Sequence, residues 1–178
     1  PGRQLKIQIL SDVHNECSAD AFVPARTDAS VVVLAGDIDL VDDSFKWANE
    51  HFPGKRVVMV AGNHEPWGTE WHSMVRRMRA EAPRYGIDFL ENDCVVIDGV
   101  KFIGATLFTD MQLYGEDSVR PAIAEARRSM PDFKVIRLEC KNSWLRRLGI
   151  TNPFFPEDSI ALHKASRGYI ERRVREAF

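Results

Sequence analysis

The sequence predicts an α/β fold built around a parallel sheet, and three observations lead to that prediction. Two unbroken apolar runs rich in β-branched residues, 31–35 and 56–61, are typical of strands buried on both faces under covering helices. Residues 42–51 lie between them and suit a short helix, which completes a strand–helix–strand unit. Residues 5–10 alternate apolar and polar side chains and predict a further strand. We expect one domain over 1–178, because this length suits a single hydrophobic core.

A hairpin and three helices are predicted after this unit. Residues 69–82 carry apolar side chains at helical spacing. The dipeptide Asp98-Gly99 separates two apolar strands and suits a two-residue turn that needs positive φ. Further helices are predicted over 118–130 and 156–178.

The last helix and the region before it complete the prediction. Glu157 and Asp158 in the first turn suit the positive end of the helix dipole. One apolar stripe is predicted on this helix, formed by Ile160, Ile170, Val174 and Phe178. Residues 132–156 give a mixed pattern, and we expect 105–158 to form a lid or insertion within the domain.

Composition and charge exclude several classes of protein. A net charge of −2 and a pI near 6.3 argue against a protein built mainly to bind nucleic acid or an anionic membrane. No apolar run approaches the roughly 18 residues of a membrane span. The three cysteines are scattered, without a CxxC pair, and predict reduced, buried thiols. Together with the lack of a signal-peptide pattern, they predict a cytoplasmic protein.

Three short polar motifs stand where predicted strands end. In chain order they are Asp12-Val13-His14, Gly36-Asp37 and Gly62-Asn63-His64-Glu65. Each motif alone is more often a turn than a site. If the strands are parallel, however, all three emerge at the carboxyl edge of the sheet, where open α/β sheets bind ligands. The glycines would let the chain turn sharply off each strand.

The residue types in these motifs suit divalent metal ions. Carboxylate, amide and imidazole ligands favour Mn, Fe, Mg or Zn. Asp12 and His14, two apart on an extended chain, would point to one side and hold one ion. Asp37 could bridge two ions, and Asn63 offers a neutral oxygen to the second. Such a pair of ions activates water for in-line displacement at phosphorus. His64, next to a ligand, is predicted to protonate the leaving oxygen.

These motifs resemble the N-terminal part of the calcineurin-like metallophosphoesterase superfamily. The resemblance rests on Asp12 and His14, on Gly36 and Asp37, and on the complete motif Gly62 to Glu65. It covers about the first hundred residues. It implies a metal-dependent phosphoesterase with a dinuclear centre, and an α-β-β-α sandwich of two packed sheets flanked by helices.

Two departures from the superfamily pattern stand out. Leu40 occupies the position of an acid that often pairs with the histidine matching His64, and Asp39 or Asp42 could substitute for it. The later histidine motifs are absent from this sequence. His163 follows a leucine and is predicted to be an ordinary helix residue. The sandwich is therefore expected to be incomplete at its C-terminal side.

The ligand count leaves three functions open. One ion would have Asp12, His14 and Asp37 as ligands, whereas the other would have only Asp37 and Asn63. The leading hypothesis is hydrolysis of a phosphate mono- or diester by two divalent ions. One alternative is a truncated, catalytically weak metal-binding or interaction module. The other is a nuclease, against which the negative net charge argues.

The expected partners follow from the same reasoning. A phosphoester is the expected substrate, no membrane contact is expected, and nucleic acid is disfavoured. The arginine clusters alternate with glutamates, which is typical of a solvated helix face. An incomplete core would leave apolar surface exposed, so we expect self-association or binding of a complementing C-terminal segment.

Overall fold

The computed structural model describes residues 4–176, and its strands confirm the predicted parallel sheet. Four strands form this sheet in the order β1-β2-β3-β4, every neighbouring pair parallel, and four more form two antiparallel pairs, β5-β6 and β7-β8. The strands are β1 Ile7–Leu10, β2 Val31–Ala35, β3 Arg56–Val60, β4 Ile87–Phe89, β5 Asp93–Ile97, β6 Val100–Gly104, β7 Arg137–Glu139 and β8 Thr151–Pro153.

Four helices occur where the apolar periodicity predicts them, and two short ones, the fourth and fifth in chain order, lie in the region of mixed pattern where no helix is predicted. In chain order these helices are α1 Asp43–His51, α2 Trp71–Glu81, α3 Val119–Ser129, α4 Asp132–Val135, α5 Ser143–Arg147 and α6 Pro156–Arg175. Pro156 occupies the first turn of α6, where its missing N–H costs nothing. Of the apolar stripe predicted on α6, Ile160 and Ile170 are half-buried and Val174 is exposed, whereas Phe178 lies outside the described residues.

Strand β4 is the element of the main sheet that the sequence pattern misses. It has only three residues, with the charged Asp88 in its centre. That charge is accommodated because the Asp88 carboxylate accepts two hydrogen bonds from the Arg56 guanidinium on β3, at 2.5 and 2.7 Å. The ion pair thus accommodates a charge between the two buried residues Ile87 and Phe89, and local periodicity does not report it.

The chain divides into two compact units. The first comprises Pro1–Glu65 and Val75–Thr106, and the second comprises Pro66–Met74 and Leu107–Phe178. The main sheet and all three polar motifs belong to the first unit, so the candidate site lies entirely within that unit.

One face of the main sheet carries the core of the first unit. The register aligns Leu34 of β2 with Met59 of β3 and Phe89 of β4, which places all three on one face. Leu34 and Met59 are fully buried, and the ring of Phe45 from α1 lies 6.3 Å from that of Phe89. Because successive strand residues alternate between faces, this helix-covered face contains every second residue.

The opposite face is partly covered by the hairpin β5-β6. Val31 and Val58 of the sheet form a buried cluster with partly buried residues of the hairpin, Val95 and Phe102 among them. The hairpin turn at Asp98-Gly99 has φ of 49° and 80°, as the sequence predicts for this dipeptide. This helix–sheet–hairpin layering confirms the predicted calcineurin-like α/β class.

The rest of that face is open on β1. Ile9 is 68% exposed and Ile7 is exposed beside it, although both point to the same side as the buried Val31. A large apolar side chain exposed at a sheet face marks a surface that another element can cover.

The second unit has a small aromatic core. Phe154 is fully buried, with its ring 5.5 Å from Phe108 and 5.6 Å from Phe133, and Trp71 lies 5.2 Å from Phe108. His163 of α6 belongs to this unit, and its Nδ1 contacts the Phe108 carbonyl oxygen at 2.6 Å. His163 thus has the ordinary structural environment that the sequence predicts.

The structure also bears on the predictions about membrane-spanning segments and cysteines. Within residues 4–176, no helix has the length and apolarity that crossing a membrane requires. All three cysteines are free, but only Cys140 is buried, since Cys94 is half-buried and Cys17 is exposed. The prediction of buried thiols is therefore wrong for Cys17, which stands in the polar loop after β1 rather than in a strand.

Candidate metal centre

Backbone hydrogen bonds join the loops that follow β1 and β2. The N–H of Asp12 donates to the Gly36 carbonyl at 3.1 Å, and that of His14 donates to the Asp37 carbonyl at 3.0 Å. These bonds hold the two loops side by side beyond the ends of their strands. Residues that are remote in the sequence are thereby fixed within one rigid edge.

The local conformation corrects one expectation. Asp12 and His14 were expected on an extended chain, but both adopt left-handed backbone conformations, with φ of 53° and 52°. Asp37 has φ of 54°. Left-handed backbone is uncommon for residues other than glycine, and it concentrates at functional sites when the surroundings hold it in place. The loop-to-loop hydrogen bonds supply that constraint here.

Two glycines allow the loops after β2 and β3 to approach each other. A Cβ on Gly36, where φ is 91°, would lie 2.7 Å from the backbone nitrogen of Gly62. A Cβ on Gly62 would overlap the carboxylate of Asp37. The positive φ of Gly36 agrees with the predicted sharp turn off β2. Both glycines have a further role, because any side chain would push the two loops apart.

The buried side chain of Glu65 links the same two loops through hydrogen bonds. Its side chain has 0% exposure and accepts hydrogen bonds from the N–H groups of Asp37, Ile38 and Gly62, at 3.1, 3.1 and 2.7 Å. Burial raises the pKa of Glu65 to about 7, and the nearby Asp37 charge acts in the same direction, against the backbone donors. The last residue of the third motif is therefore structural support for the site.

The structure brings Asp12, His14 and Asp37 together as predicted. One ligand atom from each lies within 4.8 Å of the others, and His14 Nε2 is 3.9 Å from Asp12 Oδ1. Asp37 is buried, whereas the Asp12 side chain is largely exposed. Such a group combines a buried anchor with an open side through which water and substrate can enter.

Asn63 and His64 reach this group through the third loop. The backbone N–H of His64 donates to Asp37 Oδ1 at 2.8 Å. Gly62, which precedes Asn63, lies against Asp37, because a Cβ on Gly62 would overlap the Asp37 carboxylate. The backbone of the third loop therefore passes beside the central carboxylate at Asn63 and His64.

Glu16 is a residue of the site that the motif analysis missed. It lies in a short 3-10 helix, Asn15–Cys17, directly after the first motif. Its Oε1 contacts His14 Nδ1 at 3.0 Å and His64 Nδ1 at 2.8 Å. The two imidazole rings are 4.4 Å apart, edge to face.

The charges around Glu16 reinforce one another. Burial acts to raise the pKa of Glu16, but hydrogen bonds from the two imidazoles outweigh it and lower that pKa. The pKa of His14 is raised, chiefly by its hydrogen bond to Glu16 and against its own partial burial. The Glu16 carboxylate and the charged His14 ring thus stabilise each other.

The acids considered as substitutes at position 40 have other partners. Asp39 Oδ1 accepts from the N–H of Leu40 at 2.7 Å, and Asp42 forms an ion pair with Arg77. The sequence predicts a partner of His64 near position 40, but in the structure the acid that contacts the His64 ring is Glu16. The spacing Asp12, His14, Glu16 was the available signal, since it continues the alternation of the first motif.

The donor set fits the divalent ions that the sequence suggests. Asp12, His14 and Asp37 offer two carboxylates and one imidazole, a combination that suits Mn, Fe, Zn or Mg. A second group of ligand atoms within 4.8 Å comprises His14, Glu16, Cys17 and His64. His14 belongs to both groups, with Nε2 near Asp12 and Nδ1 near Glu16.

Comparison with known proteins agrees with this geometry. A search of curated proteins found no match to the chain. The calcineurin-like phosphoesterase family matches residues 5–147, which include β1, β2, β3 and every residue of the candidate site. Since this match covers most of the sequence, the chain belongs to the calcineurin-like phosphoesterase family.

Proposed function

We propose that this protein hydrolyses a phosphate mono- or diester with two divalent metal ions. The observation that carries the proposal is the convergence of Asp12, His14 and Asp37 at one edge of the sheet, with His64 against Asp37. Bound divalent ions would polarise phosphoryl oxygens and lower the pKa of water so that it can attack phosphorus at neutral pH.

Each residue has a role that its position supports. Asp12 and His14 would hold one ion, Asn63 would contribute to the other, and Asp37 would serve both with its two carboxylate oxygens. The fixed loops hold these ligands in place before substrate arrives, which reduces the reorganisation that the reaction requires. His64 would donate a proton to the leaving oxygen, since its ring lies beside the ligand group but contacts Glu16.

A second candidate function is metal binding without efficient catalysis, because the ligands are divided unevenly between the two ions. The first ion would have three protein ligands, whereas the second would have only Asp37 and Asn63. Weak binding of the second ion would leave a metal-binding or interaction module with little catalysis. The number of metal ions bound per chain distinguishes the two functions, since hydrolysis by the two-metal mechanism requires two ions per chain.

Nuclease activity has less support. Several helical arginines contact acids, as in the pairs Arg128–Glu125 and Arg167–Glu171. Arginines engaged in this way offer little free charge to a phosphate backbone, on which nucleic-acid affinity depends.

The setting of the reaction is a further part of the proposal. The substrate would be a phosphoester, and the three free cysteines support the reducing cytoplasm as its location. The exposed Ile9 supports self-association or the binding of a complementing segment on the open sheet face.

The experiment that tests the function changes His64 to Ala. We expect near-normal metal content but turnover of a p-nitrophenyl phosphodiester reduced by about 10²–10⁴-fold, the usual range for a positioned proton donor. His72→Ala is the matched control, because His72 is an exposed imidazole outside the metal group. Loss of bound metal in His64→Ala would make His64 a ligand, and unchanged turnover would contradict its proposed role.

A further inference from the structure

Glu16 has an environment that stability alone does not explain. Its side chain is only 8% exposed, and hydrogen bonds from both imidazoles reach the same oxygen, Oε1. Within residues 4–176, its other oxygen, Oε2, is buried without a hydrogen-bond partner. An unpaired buried carboxylate oxygen is destabilising, so this arrangement has a cost that another function must offset.

We propose that Glu16 is a positioning residue that fixes the tautomer and orientation of both site imidazoles at once. This inference rests on the proposed phosphoester hydrolysis, whose two histidines it orients. A carboxylate can only accept hydrogen bonds, so Nδ1 of His14 and Nδ1 of His64 must both carry their proton toward Glu16. The Nε2 atoms of both rings then point away from it.

The fixed orientation has a different consequence for each histidine. In His14, Nε2 keeps its lone pair and lies 3.9 Å from Asp12 Oδ1, on the side of the carboxylate ligands. A hydrogen bond from the remote ring nitrogen to a carboxylate is the usual way to orient and strengthen a metal-binding imidazole. In His64, the same contact directs Nε2 away from Glu16, and Nε2–H of the doubly protonated ring would be the group that donates a proton to a leaving oxygen.

The contact to Glu16 also couples the two rings. They lie 4.4 Å apart edge to face, and one carboxylate oxygen contacts both. Displacement of Glu16 would therefore release the metal ligand and the proton donor together. Removing either histidine alone leaves the other with its partner.

Imidazole tautomers can be measured directly, without any activity. Long-range ¹H–¹⁵N spectra of the metal-free protein at about pH 9, where imidazoles are neutral, separate Nδ1–H from Nε2–H rings. We expect Nδ1–H for His14 and His64 in the natural chain. Nε2–H at both rings of the natural chain would overturn the proposal without the need for any variant.

Three variants of the full chain extend the test. Glu16→Ala should return both rings to the Nε2–H form, whereas Glu16→Gln keeps an acceptor oxygen and should preserve Nδ1–H in at least one ring. Cys17→Ser is the third variant, since Cys17 also contacts Glu16 Oε1, at 3.5 Å, and belongs to the second group of ligand atoms; both rings should stay in the Nδ1–H form in it. Unchanged tautomers in Glu16→Ala would overturn the proposal, as would loss of one equivalent of bound Zn²⁺ in Cys17→Ser, which would make this group a metal site.

Kinetics on two leaving groups separates positioning from general damage. A proton donor matters more for phenolate than for the better leaving group p-nitrophenolate. Glu16→Ala should therefore lower kcat/KM for a phenyl ester at least about tenfold more than for the p-nitrophenyl ester. Equal losses would contradict the positioning of His64. An inactive natural chain with both rings in the Nδ1–H form would refute the proposed hydrolysis and leave the orienting role of Glu16 standing.

Discussion

Glu65 offers the sharpest test of how the site is held together. Its Oε2 accepts from the N–H groups of Asp37 and Gly62, and its Oε1 accepts from that of Ile38. The change Glu65→Gln keeps the shape of the side chain but replaces one acceptor oxygen with an NH₂ donor. Whichever way the amide turns, at least one backbone N–H then faces another donor.

The magnitude follows from the number of unpaired groups. A buried polar group that loses its partner costs about 1–3 kcal/mol, so Glu65→Gln should lower the free energy of unfolding by at least about 1–3 kcal/mol. Glu65→Ala leaves all three N–H groups without the carboxylate and should cost at least about 3 kcal/mol. In a chain of this size, each kcal/mol lowers the Tm by about 2–4 °C.

Denaturant titration followed by far-UV circular dichroism measures this loss, with Glu125→Gln as the control. Glu125 is an exposed partner of Arg128, and removing such a pair changes the free energy of unfolding by less than about 1 kcal/mol. Metal content of Glu65→Gln should also fall, because Asp37 loses its backbone anchor. If Glu65→Gln matched Glu125→Gln in stability and bound metal normally, the three hydrogen bonds would not be holding the site.

Three further outcomes are expected from other parts of the molecule. Asp37→Ala should lose more bound Mn²⁺ than Asn63→Ala by elemental analysis, because a bridging carboxylate serves both ions; equal contents would remove the bridging assignment. Burial raises the pKa of Glu91, so the stability that its protonated form provides is present below the unfolded pKa and is lost as pH rises through the folded pKa. Glu91→Gln should therefore flatten the decline in stability with rising pH, measured by denaturant titration across that range, and an unchanged slope would argue against the burial effect. Ile9 is 68% exposed, so the natural chain should self-associate with rising concentration in light scattering and Ile9→Lys should not; a monomeric natural chain would count against this.

Local patterns in the sequence are enough to predict the sheet that carries the site. The strands β2 and β3 are buried on both sides, so their sequences are continuously apolar and easy to recognise. The same is true of the hairpin, because Asp98-Gly99 has a strong intrinsic preference for its turn. Strand β4 escapes prediction because it has only three residues with a charge at its centre, and the Arg56 that pairs with Asp88 is remote in the sequence.

The ligand group can be predicted for a related reason, but its partners cannot. Parallel strands bring their carboxyl ends to one edge, so Asp12, His14 and Asp37 had to meet once the topology was known. Glu16 reaches the two histidines only because the chain turns into a 3-10 helix after His14, which itself has a left-handed conformation. The alternation Asp12, His14, Glu16 marks Glu16 as a candidate, but neither the turn nor the contact to His64 can be inferred from it.

The hydrogen bonds of the site explain why its motifs contain residues that bind no metal. Asp37 is fixed through its own N–H by Glu65, through its carbonyl by the N–H of His14, and through Oδ1 by the N–H of His64. The loop after β1 thus contributes one bond to Asp37 and the loop after β3 contributes two, and the absence of a side chain on Gly62 makes the space for it. The position of the central carboxylate is therefore determined by its hydrogen bonds to the two neighbouring loops. Substitutions at Gly62 or Glu65 should impair metal binding as surely as loss of a ligand, although neither residue offers a donor to the metal.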